Sequence, residues 1–387
     1  MTNRSTLIFL VLFSLFLVQC GSDSDPGLFT AVNHVAVDAT NDRFFLTEPE
    51  QKLFVFTAST QENLASQQPL VDEDTNEDIA ALLPRQVSQL AVYAEGTTSR
   101  LFILGGVTSP EGTELNEIRV LDFDGDDFTE TDFSPITLSD GDADTDDSDN
   151  AFADLLVDGD NGVVYVTDAT AGLLYVLSAV DGTTVSGPYA IAGIPQGLAL
   201  DNARLYVCNS SVVDAEQVVT VFNTADYTTT AIDLDIPCHQ LAVQSNEVGT
   251  VMLVRQYDDE VVLIHSVDTT TYALSTPLVA ETDDYVDGFL TNGHGISSSI
   301  NGLVLVRDGS DQLHAYLSEL DGNVQHVTVS DDLTAYEAET LSTSAANLTD
   351  SAALSSGDGE DSLAFIVSES GALLVVDVET SDIEVMD

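Results

Sequence analysis

Gly193-Ile194-Pro195-Gln196-Gly197-Leu198-Ala199-Leu200-Asp201-Asn202-Ala203-Arg204-Leu205-Tyr206-Val207-Cys208-Asn209 is the stretch whose reading decides the fold. A Gly/Pro turn leads into a short apolar run, a polar turn follows, and a second run of Leu, Tyr and Val returns. That is the pattern of two antiparallel strands joined tightly. Weaker copies of it recur from one end of the chain to the other. Their first strands are expected at 34–38, 89–93, 154–158, 197–201, 240–244, 295–299 and 351–355. Second strands are expected at 43–47, 100–104, 163–167, 204–208, 251–255, 303–307 and 363–367.

Third strands follow at 53–56, 173–177, 218–222, 261–265, 313–317 and 373–376, and turns such as Val180-Asp181-Gly182 and Leu320-Asp321-Gly322 lead to fourth, more polar strands. One such unit cannot bury both of its faces. Seven of them with only β signals predict an all-β protein, a seven-bladed β-propeller of four-stranded antiparallel blades. The first strands begin 55, 65, 43, 43, 55 and 56 residues apart. The short spacings fit bare blades. The longer ones call for inserted loops, at 61–84, 108–116, 139–150, 281–292 and 331–350, and grafted function is expected on such loops. Either 28–32 or 383–386 is expected to supply the strand that closes the ring.

Ile194-Pro195-Gln196-Gly197-Leu198 with Leu205-Tyr206-Val207-Cys208-Asn209 resembles the YVTN-type β-propeller repeat, in which a Pro-x-Gly turn enters the first strand and the second strand reads Leu-Tyr-Val-Thr-Asn. Val164-Tyr165-Val166-Thr167-Asp168 and Leu174-Tyr175-Val176 echo it. The resemblance implies the propeller fold and no particular activity. Trp is absent from the chain, unlike WD40 repeats and the Trp-bearing quinoprotein propellers.

The N-terminus carries one basic residue, Arg4, ahead of an apolar run from Leu7 to Val18, which has the length of a signal peptide and is too short to span a bilayer. Leu17-Val18-Gln19-Cys20-Gly21-Ser22 resembles the lipobox of bacterial lipoproteins, with Gln19 standing where Gly, Ala or Ser is usual. The resemblance implies diacylglyceryl transfer to Cys20, cleavage before it, and a lipid-anchored protein of the bacterial envelope, expected at the outer membrane. The alternative is an ordinary cleaved signal peptide with an incidental Cys. The domain reading is therefore a signal peptide at 1–19, a lipidated Cys and flexible tether at 20–27, and the propeller at 28–387.

The chain of 387 residues is 44% hydrophobic, enough for a folded core, yet has 66 Asp and Glu against 9 Lys and Arg, a net charge of −57. Nucleic acid is excluded as a partner, because phosphate binding needs clustered basic side chains. The acidity reads either as a hydrated surface suited to high salt or as divalent-cation binding. Its spread along the whole chain favours the first. The run Asp140-Gly141-Asp142-Ala143-Asp144-Thr145-Asp146-Asp147-Ser148-Asp149 alternates carboxylates like a Ca²⁺ loop, but lacks the sixth-position Gly and closing Glu of an EF-hand.

The first strands of a propeller line its channel and run the same way, so the residues at their starts converge at one mouth. These are His34, Gln89, Asp154, Gln196, His239, His294 and Asp350. His and Asp in such a set suit Zn²⁺ or Mn²⁺, whereas a wet, polar channel without a metal needs the same residue types. The sugar-lactone hydrolase propellers hold a catalytic cation with Glu, Asn and Asp at this mouth, and no Glu stands at a matching position here. No Gly-x-Ser-x-Gly elbow, phosphate loop or CxxC pair occurs. His265, His314 and His326 fall inside strands, with packing or surface roles.

Cys208 ends one second strand and Cys238 precedes the next first strand, so a disulfide between them would clamp adjacent blades and contribute ~3 kcal/mol through loop-closure entropy. The alternative is two buried reduced thiols. The functional reading is a non-catalytic binding or assembly scaffold without a cofactor. Its expected partners are the membrane, through the lipid, and a protein or small ligand on the top-face loops. The competing reading is a lactonase-like, metal-dependent hydrolase using His34, His239, His294, Asp154 and Asp350 on Ca²⁺ or a transition metal.

Overall fold

A computed structural model describes residues 32–386 except 49–51, 65–83, 85, 109–113, 126, 139–151, 212, 214–216, 235, 257–260, 276–277, 281–295, 298–299, 320–321, 344, 346 and 355–361. The described residues form strands and turns without helix. Seven antiparallel meanders follow one another along the chain. Blade 1 has strands His34–Asp38, Arg43–Glu48 and Lys52–Thr57, and blade 2 has Gln86–Glu95, Thr98–Thr108, Glu114–Phe123 and Phe128–Glu130. Blade 3 is Phe152–Asp158, Val163–Asp168, Leu173–Ser178 and Thr184–Ala190, and blade 4 is Pro195–Asp201, Arg204–Asn209, Val218–Asn223 and Thr229–Asp233. Blade 5 contains Cys238–Ser245, Thr250–Gln256, Val261–Asp268 and Ala273–Leu274. Blade 6 contains Ile300–Arg307, Leu313–Glu319, Asn323–Val329 and Ala335–Ser342, and blade 7 contains Leu348–Leu354, Leu363–Ser368, Leu373–Asp377 and Ile383–Met386.

The first strand of each blade contacts the first strands of its two neighbours, blade 7 touching blade 1, so the seven close into a ring. The apolar residues separate into seven clusters, one at each seam between neighbouring blades. This is why the middle strands read as unbroken apolar runs instead of alternating: in Arg43–Glu48, Phe44 and Leu46 face blade 7 while Phe45 faces blade 2. Outer strands have one face in water, and Thr184–Ala190 is mostly exposed and polar accordingly.

Blade 6 corrects the expected strand frame. Its first strand is Ile300–Arg307, and not the stretch expected from the sequence. Ile296–Ser297 pairs instead with Val261 and Val262 of blade 5. The strands expected as second and third, at 303–307 and 313–317, belong to the first and second strands of the blade. A first strand must fill two seams, and Ile300–Arg307 does so with Leu303 and Leu305 on one side and Val306 on the other. The sequence at 295–299 offers a single Ile for that task. By the same shift, Asn323–Val329 is the third strand and not the fourth, and 331–350 contains the outer strand Ala335–Ser342 where an inserted loop was expected.

Among the described residues blade 1 has three strands, with an isolated bridge from Phe56 to Asn63 where a fourth would add. Blades 5 and 6 each carry a fifth short strand, and the one on blade 6, Val279–Ala280, joins its edge in parallel. Ile383–Met386 is the outer strand of its own blade. Among the described residues no strand is exchanged between the first and last blades. Whole blades meet there, through Phe44 against Phe365 with centroids 4.9 Å apart and the Val32 amide donating to Ser368 O at 3.0 Å. The expected signal peptide, Cys20, the tether, the acidic run at 140–149 and His294 lie outside the described residues.

Candidate functional site: the channel mouth

In six blades the ladder between first and second strands skips a step at the start of the first strand. The skipped positions include Ser88, Ala153, His239, Asn301 and Thr349, with Gln196 and Gly197 together in blade 4. A bulge adds one residue to one strand and re-aims its side chains. Repeated around the ring, it turns two consecutive residues toward the channel end in five blades and Asn301 in blade 6. The result is a cavity of about 190 Å³ lined by His34, Gln89, Asp154, Gln196, His239 and Asp350, among others. Six of the seven mouth residues named from the sequence thus line one cavity. Asn301 lines it from blade 6, a consequence of the strand shift described above, and His294 lies outside the described residues.

Asp154 stands at the centre of a three-blade network. Its Oδ1 accepts from Gln89 Nε2 and from the Leu155 amide, both at 2.7 Å, and its Oδ2 accepts from the Leu198 amide of blade 4, also at 2.7 Å. Burial pushes its carboxyl up to about 6, helped by the Asp350 charge, while the bonds from Gln89, Leu198 and Leu155 pull the other way. Asp350 repeats the arrangement across the seam where the last blade meets the first. Its Oδ1 accepts from the Ser351 amide at 2.8 Å, and its Oδ2 accepts from the Val35 amide at 3.2 Å and lies 3.4 Å from His34 Nδ1. His34 Nε2 in turn donates to Val87 O of blade 2 at 3.0 Å. Each carboxylate therefore holds the backbone of the following blade.

On the opposite side, Arg255 was not singled out from the sequence. It faces Gln240 in the ladder, enters the cavity and donates from Nη1 to Asn301 O at 3.3 Å. A signal existed: Arg255 closes a second strand, and the end of a second strand abuts the start of the first. The His239 imidazole is pushed down, by burial first and then by the Arg255 charge. Below it, Cys208 and Cys238 are joined with Cα atoms 5.5 Å apart, both fully buried. The disulfide fixes blade 4 to blade 5 one residue from the bulged His239.

Chemically, the mouth offers two carboxylates committed to the ring, two imidazoles and one guanidinium. Among the described residues no three of His, Cys, Asp and Glu assemble as a metal-binding group. No protein-family profile matches the chain, and no curated protein does. Among solved structures, it is similar to hydrazine synthase of Kuenenia stuttgartiensis, with 12% identity over 60% of this chain and 64% of that one and a TM-score of 0.44. That match spans less than two thirds of the hydrazine synthase chain.

Proposed function

We propose that the chain is a lipid-anchored propeller of the bacterial envelope that works as a non-catalytic binding or assembly scaffold, engaging its ligand at the channel mouth and the surrounding loops. One observation carries this reading: both oxygens of Asp154 and both of Asp350 accept hydrogen bonds from the ring itself. A hydrolytic metal held by Asp154 and Asp350 would need their oxygens to converge on the ion. These carboxylates converge on backbone amides of neighbouring blades, a structural use, and the remaining mouth groups are of the kind that orient a small polar ligand. The anchoring part of the reading rests on the lipobox-like sequence around Cys20.

The test is the metal content of the full chain purified in detergent and dialysed, beside a His239→Ala variant, with lactone hydrolysis followed in both. The scaffold predicts no stoichiometric metal and no turnover in either. One transition metal per chain that disappears in the variant would establish the competing metal-dependent hydrolase. Labelled fatty acid should enter the wild-type chain and not a Cys20→Ala variant, whose release from the membrane fraction is the expected companion result.

A further inference from the structure

Away from the mouth, blade 6 contains a buried polar chain. Its second strand carries His314 and Tyr316 on one face, its third strand places His326 opposite Tyr316, and its outer strand places Glu339 opposite His326. His314 and His326 are 8% and 6% exposed. Asp308 Oδ2 lies 3.4 Å from His314 Nε2, His314 Nδ1 lies 2.9 Å from His326 Nε2, and His326 Nδ1 lies 2.9 Å from Glu339 Oε1. From blade 7, Ser381 Oγ lies 3.3 Å from the same His326 Nδ1.

Counting protons along this chain leaves one place unfilled. An ionised carboxylate only accepts, so the nitrogens facing Asp308 and Glu339 each carry a hydrogen. That choice fixes both tautomers and leaves the two inner nitrogens bare, lone pair against lone pair at 2.9 Å. Such a contact is attractive only with a cation in it. Metal–imidazole bonds of about 2.0–2.1 Å would hold the two nitrogens roughly 3.3 Å apart even in a tetrahedral arrangement. A proton fits the observed distance.

We propose that His314 and His326 hold one shared proton, with His326 as a buried imidazolium, and that this proton fastens the outer strand of blade 6 and its seam with blade 7 until rising pH removes it. The charge is placed on His326 because Glu339 is closer to it than Asp308 is to His314. In addition, the Tyr316 ring stacks on His326 with centroids 4.8 Å apart and planes 7° from parallel, a favourable face for a cation. Burial, then the neighbouring His326, pushes the His314 imidazole down, which opposes a second proton. Asp308 stays ionised: burial is outweighed by bonds from the Gln312 amide and from Ser310. The charged groups that blade 7 turns toward the pair are also acidic, Asp377 and Glu379 acting on Tyr316 and Glu379 on His314.

The test is ring-¹⁵N histidine NMR on the full chain from pH 5 to 9, with His326→Gln and Glu339→Gln variants. Glu339 is largely exposed, so its replacement leaves the core intact. One imidazolium is expected to persist at pH 7.5, where a free imidazole of about 6.5 is nine-tenths neutral. It should vanish in His326→Gln and lose its proton at lower pH in Glu339→Gln. Amide exchange of residues 335–342, corrected for the intrinsic rate, should rise about tenfold across the wild-type midpoint. Two neutral rings at pH 7.5, a midpoint indifferent to Glu339→Gln, or a histidine signal altered by chelator would overturn the shared proton. Exchange that ignores the midpoint would overturn the seam.

Discussion

Asp154 shows how one residue at a channel mouth acquires two constraints at once. Desolvation favours its neutral form while three donors favour its ionised form, and burial wins, leaving the carboxyl at about 6. The folded state then binds this proton more tightly than the unfolded chain, whose Asp titrates near 3.9. The associated stability is fully present below about pH 4 and lost as pH rises through about 6, and a shift of two units corresponds to about 3 kcal/mol. Urea unfolding at pH 4.5 and 7.5 should show this slope in the wild type and a flatter one in Asp154→Asn. At neutral pH the variant should also be weakened, because the Leu198 amide then faces an amide nitrogen or loses its acceptor.

At the scale of the element, the Pro-x-Gly entry of blade 4 is explained by a neighbour. A Cβ on Gly197 would stand 3.2 Å from Gln240 Cα and 3.2 Å from His239 O, both backbone atoms of blade 5. Neither can swing aside. Gly197→Val is therefore expected to cost about 1–3 kcal/mol by overpacking, read as a lower urea midpoint with unchanged slope. The second half of the motif has its own reason. Asn209 Oδ1 accepts from the Ile194 amide at 3.0 Å and the Ser211 amide at 2.9 Å, while its Nδ2 donates to Ala192 O, so one side chain closes the turn on both sides of the strand pair. The Cys208–Cys238 bond closes a segment of 30 residues between the same two blades. Replacing both with Ser should cost roughly 3–4 kcal/mol by loop-closure entropy, and reductant should lower the wild-type melting temperature but not that of the double variant.

Across the whole molecule, several of the described cations bridge seams. Arg43 of blade 1 donates to Ser99 Oγ at 2.9 Å and Phe123 O at 3.3 Å in blade 2. Arg100 of blade 2 reaches Ala179 O at 3.0 Å and Val180 O at 2.8 Å in blade 3, and Arg204 of blade 4 reaches Thr269 O at 3.3 Å in blade 5. With 9 cations against 66 carboxylates, a net charge of −57 repels itself across the molecule. Salt screens such repulsion within a Debye length of ~10 Å at 0.1 M and ~3 Å at 1 M. The melting temperature should therefore rise steadily from 0.1 to 1 M NaCl. A melting temperature that falls over that range would mean that ion pairs such as Arg100 with Asp122 at 2.7 Å, within blade 2, outweigh surface repulsion.

The sequence by itself determined the number of blades and the first strands of six of them, because a strand packed between two seams must be apolar on both faces and that pattern is local. It also placed His34, Gln89, Asp154, Gln196, His239 and Asp350 at one mouth, since residues at equivalent starts of equivalent strands must converge in a ring. Local pattern failed at blade 6, where Ile296–Ser297 and Ile300–Arg307 compete for one role and only packing against blades 5 and 7 chooses between them. Tertiary structure alone decided what the mouth residues do. Whether Asp154 and Asp350 face an ion or a neighbour's amide depends on how closely two blades approach and on where the bulges fall. The same holds for His314 and His326, whose 2.9 Å contact follows from the register of two strands.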